Sequence, residues 1–80
     1  MISITITEFI KQTVNANPDT DAEVLTAACY ETLKAKYNGS ACITCGAPIW
    51  AAGSAITGTY MCFTFMTGEF DDSEDYEIRE

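Results

Sequence analysis

Four cysteines are the residues of this chain whose type and spacing carry chemistry. Cys42 and Cys45 stand two residues apart in ACITCG, sixteen residues separate Cys45 from Cys62, and Cys29 lies upstream. Thiolates at the CxxC spacing either bind a thiophilic metal or run thiol–disulfide exchange. The redox use needs the pair at the end of a strand and the start of a helix, where the thiol pKa falls. Here two helical segments precede the pair and Gly46-Ala47-Pro48 follows it. Metal binding is therefore the leading expectation, ahead of a metal-free relic packed around Phe65 and of redox work. Structural zinc takes four ligands drawn from thiolate, imidazole or carboxylate, and the chain has no histidine. Beside Cys42, Cys45 and Cys62, the fourth ligand is expected to be Cys29, an acid such as Glu69 or Asp71, or a group from another chain. Cys29 is within reach of the CxxC turn, since one helical residue adds only about 1.5 Å of rise. It also lies on the apolar face of its helix, where a free cysteine packs as a small hydrophobe. Both readings of Cys29 stay open.

Cys42-x-x-Cys45-Gly46 followed by Tyr60-x-Cys62 resembles the two halves of a zinc ribbon or rubredoxin-type knuckle pair. In such families each knuckle puts two thiolates on the metal, and the glycine after the second cysteine lets backbone N–H groups turn toward the sulfurs. Cys42, Cys45 and Gly46 match the first knuckle. The second matches at Cys62 alone, because Phe65 stands at the other ligand position and Met66 where a glycine often follows. The resemblance thus implies a degenerate zinc knuckle with zinc as its cofactor.

Two helices must carry this site. In ITITEFIKQTVNANP, Thr5 with Glu8 makes a capping box, and Ile4 with Phe9 a hydrophobic staple. Ile6, Phe9, Ile10 and Val14 share one face, and Asn17-Pro18 ends the helix. Thr20 with Glu23 opens a second helix with Val24, Leu25, Ala28, Cys29 and Leu33 facing inward and Tyr37 one turn on. It stops at Asn38-Gly39, with Lys34 and Lys36 in its last turn. The segment TYMCFTFM is rich in aromatic residues and threonine, as strands are, and suggests an antiparallel hairpin; the intervening AAGSAITG suits a loose tip or a short helix. The expected fold is α+β: two helices, about 6–16 and 21–37, packed on a small antiparallel sheet that carries the knuckle over about 41–68. Residues 1–68 then form one domain, and 69–80 an acidic tail.

Charge is concentrated in that tail. The chain has twelve acids and four bases for a net −8, and EFDDSEDYEIRE alone contributes −6. Between Lys36 and Glu69 no residue carries a formal charge. Four bases against twelve acids argue against direct nucleic-acid binding, which needs cations to neutralise phosphates. No nucleophile sits beside a general base and no glycine loop cradles phosphate, so catalysis is not expected. No apolar run is long enough for a membrane span and no secretory signal opens the chain, which suggests a cytoplasmic protein of a bacterial or phage-infected cell. The leading function is a small non-catalytic interaction module for a basic protein partner, one that itself handles nucleic acid. Asp71, Asp72, Glu74, Asp75 and Glu77, spaced like backbone phosphates, with Trp50, are the expected contact residues. Small acidic phage inhibitors of the anti-CRISPR and anti-restriction kind share this size and charge. The alternatives are a zinc-dependent structural accessory subunit of a larger bacterial assembly and a thiol-redox or metal-handling protein. A chain this short with so neutral a middle also suggests a symmetric homodimer.

Overall fold

Residues 2–7 alternate isoleucine with serine and threonine, a period-two pattern that serves a strand before it serves a helix. In a computed structural model describing residues 1–80, Ile2–Thr5 forms strand β1 and runs without a break into helix α1, Ile6–Ala16. Thr5 is the hinge between them: its backbone is extended, and its hydroxyl accepts the Glu8 N–H at 3.2 Å. That is the expected cap. Ile4, Ile6 and Phe9 enter the core together.

Helix α2, Ala22–Tyr37, begins one residue later than expected. Asp21 rather than Thr20 is its N-cap, accepting the N–H groups of Glu23 at 3.0 Å and Val24 at 3.2 Å. Asp is among the best N-caps because an ionised oxygen meets two orphan donors at the positive end of the helix. The buried stripe is Leu25, Cys29, Thr32 and Leu33, while Val24 and Tyr37, expected inside, are about two-thirds exposed.

The antiparallel hairpin is replaced. AAGSAITG folds as helix α3, Ala51–Thr57, and the aromatic segment as a short helix α4, Phe63–Thr67; each ends on a glycine in the left-handed conformation, Gly58 and Gly68. Alanines 51 and 52 are fully enclosed between α2 and the core, and the Thr32 hydroxyl donates to the Ala51 carbonyl at 3.0 Å. Strand propensity in TYMCFTFM loses because no neighbouring strand is present to pair with it. The segment 59–62 instead offers single carbonyls, Tyr60 to the Ile43 N–H and Met61 to the Trp50 N–H.

The sheet that does form is parallel. Strand β2, Tyr76–Arg79, pairs with β1 in the register Ile2 with Tyr76 and Ile4 with Ile78. Parallel neighbours need a long crossover, and here the whole helical body serves as one. Residues 69–80, set apart on charge, are thus divided between a loop and a strand whose Ile78 is only 2% exposed in the core.

Glu77 on β2 explains how the acidic segment is held. Its carboxylate lies 2.6 Å from the Lys36 ammonium and accepts the N–H groups of Ala51 at 3.0 Å and Ala52 at 2.9 Å. Helix α3 has no cap of its own, since Trp50 at its N-cap offers no acceptor side chain. A carboxylate from the far end of the chain supplies it. No helix is long and apolar enough to cross a membrane.

Candidate metal centre

The loop between α2 and α3 folds back on itself around Cys42. The Cys42 N–H donates to the Ala47 carbonyl at 2.6 Å, and the Gly46 N–H to the Cys42 carbonyl at 3.1 Å. Gly46 takes a φ of 77°, a left-handed conformation that a side chain would strain. The turn closes with a single antiparallel bridge between Ala41 and Pro48. Cys62 arrives from the other side as the N-cap residue of α4. It therefore reaches the cluster from a helix start and not from a second knuckle.

The three thiols converge. The sulfurs of Cys42, Cys45 and Cys62 all lie within 4.8 Å of one another, and Cys45 Sγ is 3.4 Å from Cys62 Sγ. Sulfurs about 2.3 Å from a tetrahedral zinc are separated by about 3.8 Å, so the cluster forms one face of such a site. Backbone N–H groups point into it. Those of Cys45, Cys62 and Thr44 meet the Cys42 sulfur and, against the effect of burial, pull its thiol down to about 6. Cys45 receives the Ala47 N–H, which acts in the same direction, but hydrogen bonds with Cys62 and Cys42 outweigh it and push its thiol up. A metal takes its cysteine ligands as thiolates, and the lowered thiol of Cys42 supplies one.

Cys29 goes elsewhere. It is fully buried among Ile4, Leu25, Leu33 and Ile78, and burial pushes its thiol up to about 11. No carboxylate joins the three sulfurs: Glu69 and Asp71 are exposed, and Asp71 accepts the Ser73 N–H at 3.0 Å, which holds its carboxyl below the usual range. Phe65, at the position of the missing ligand, is half exposed on α4. The donor set this chain brings together is three thiolates, which fits a thiophilic metal ion and leaves a tetrahedral one a ligand short.

An open cleft of about 420 Å³ borders the cluster, lined among others by Cys45, Cys62, Trp50, Phe63, Phe70 and Asp72. Trp50 is half-buried; its indole N–H donates to the Tyr76 carbonyl at 2.8 Å, and its ring meets Phe63 edge-on at 5.0 Å. It ties the cysteine region to β2. Of the expected acidic contact residues, Asp71 and Glu74 are exposed, Asp75 is partly covered, Asp72 pairs with the N-terminal ammonium at 3.2 Å, and Glu77 is turned inward. Phe70 was not singled out by sequence reasoning, yet it is 90% exposed in the middle of these carboxylates. Its one signal was being the only large apolar residue between Met66 and Tyr76. No family model matches this chain, and no curated protein or solved structure matches it either.

Proposed function

We propose that the chain is a small non-catalytic interaction protein, stapled by a structural zinc ion on Cys42, Cys45 and Cys62, that acts on a basic, nucleic-acid-handling protein partner. The convergence of three sulfurs ringed by backbone N–H groups carries the metal half of this reading. Zinc at such a site supplies folding energy, since binding energy at a structural site is folding energy. The partner half is supported by the loop 69–75, where an almost fully exposed aromatic ring stands among five exposed or partly exposed carboxylates. An aromatic anchor within an anionic rim suits a basic surface with an apolar pocket. Inhibitors of the anti-CRISPR or anti-restriction type are the functional class that such a surface serves.

Elemental analysis of the purified chain tests the staple: about one zinc per chain is expected, with a lower melting temperature after chelation. Metal-free protein whose melting is unchanged by chelator ends that half. Cys29→Ser should keep its zinc and lose only stability, because Cys29 packs in the core. For the partner half, capture from the native host is compared between the wild-type chain and Phe70→Ser with Glu74→Gln. A basic nucleic-acid enzyme retained by the first and lost by the second is expected; equal retention overturns the role of the loop.

A further inference from the structure

A tetrahedral zinc ion on three thiolates lacks one ligand, and this inference rests on the zinc reading above. We propose that the missing ligand is the Cys45 thiolate of a second copy of this chain, so that two copies share two zinc ions through a pair of bridging Cys45 sulfurs. The count closes. Six thiolates, two of them shared, give each zinc two terminal and two bridging sulfurs, the four ligands it takes.

The arrangement of the three cysteines assigns the roles. Cys42 is 4% exposed and Cys62 7%, whereas Cys45 is exposed on the CxxC turn, so it is the member of the cluster that a second molecule can reach. Ligands within the chain are accounted for: Cys29 is enclosed in the core, there is no histidine, and no carboxylate joins the cluster. Beside Cys45 on the same turn, Ile43 is 73% exposed, apolar surface with nothing in its own chain to cover it. A two-fold axis through the bridging sulfurs places the two turns against each other, with the same residues on both sides. Binding sends the thiol protons to solvent and changes no oxidation state. Each copy carries −8, so charge opposes pairing, and added salt should strengthen it by screening.

The test uses the full chain loaded with zinc, read by elemental analysis, native mass spectrometry and zinc X-ray absorption. One zinc per chain, a doubled mass that returns to that of a monomer in chelator, and four sulfurs around each zinc are expected. One zinc per chain at monomer mass, or three sulfurs with one oxygen, overturns the shared site and leaves the zinc reading standing. Absence of zinc overturns both. Cys45→His supplies a second check, because a neutral imidazole ligates one ion and does not bridge two. It should keep its zinc and fall to half the wild-type mass; a zinc-loaded dimer of this variant rules out the bridge.

Discussion

Cys29 and Cys42 are the same side chain in two regions of one small molecule, and their environments move them in opposite directions. Around Cys29, apolar atoms from β1, α1, α2, α3 and β2 offer nothing to a thiolate, and the thiol rises to about 11. Around Cys42, which has little exposed surface but sits in the outer loop rather than the core, three backbone N–H groups stabilise the anion, and the thiol falls to about 6. Burial alone therefore does not decide the chemistry of a cysteine; the direction of nearby dipoles does. The contrast extends to how each region is held. The helical core is held by the apolar area it removes from water, each fully buried isoleucine or leucine contributing roughly 1.5–3 kcal/mol. The cysteine region has Cys42, Ile49, Cys62 and Phe63 inside but leaves Ile43, Phe65 and Phe70 outside, and relies on isolated backbone bonds and its sulfurs.

Substitutions in each region break this contrast in order of size. Ile78→Ala removes a 2% exposed side chain from the helical core and should cost about 2–5 kcal/mol with or without zinc, read by denaturant unfolding. A dependence of that loss on metal would mean that the two regions are not separately held. Glu77→Ala strips Lys36 of its partner and the first turn of α3 of its acceptor. About 2–3 kcal/mol is expected, and hydrogen exchange should show α3 opening ahead of α1. Gly53→Ala tests the seam between the regions, because a methyl group there would collide with the Trp50 ring and stand 2.6 Å from the Met66 sulfur. Met66 can yield but the wedged indole cannot, so about 1–3 kcal/mol should be lost, with a changed Trp fluorescence spectrum; an unaltered spectrum argues against the packing.

The pair of cysteines sharpens the comparison through pH, an effect that solvent at the exposed Cys45 turn keeps small. In zinc-free protein Cys42 ionises near 6 when folded and near 9 when unfolded, so the unfolded chain holds more protons between those values. Stability should then rise with pH over that window, its gain complete above about 9 and lost as pH falls through about 6. Cys29 does the reverse, contributing fully below 9 and losing its contribution as pH rises through about 11. Cys42→Ser should remove the first slope and Cys29→Ser the second, both measured as melting temperature against pH.

The two long helices and the turn of the Cys42–Cys45 pair were legible because their signals are local. Thr5, Glu8, Asn17-Pro18 and Asn38-Gly39 act within a few residues of themselves, and so does Cys42-x-x-Cys45-Gly46. What escaped was settled at a distance. β1 and β2 are four residues each, too short to announce themselves, and gain their identity from each other across the chain. Phe63 and Phe65 read as a strand and became a helix, one ring turned in against Trp50 and the other left outside. Glu77 read as one more charge in an acidic run, because nothing near it in sequence discloses the bare helix terminus that it meets. Within the site, Cys62 was legible by spacing, while the separation of Cys29 from it depended on how α2 rotates.

The parallel pairing of Ile4 with Ile78 sets the order in which the molecule can be made. Those partners are 74 positions apart, so closing the loop between them is among the most costly steps in chain entropy that an 80-residue protein can take. On a ribosome, α1 and α2 emerge early but lack both the β2 strand beside β1 and the carboxylate at the head of α3. The core stays open until residue 78 has left the exit tunnel, so the helices that emerge first must wait for β2 before they can close. A chain cut off before β2 would have its helices and its three thiols and no closed core around them, a molecule for the proteases rather than a native one.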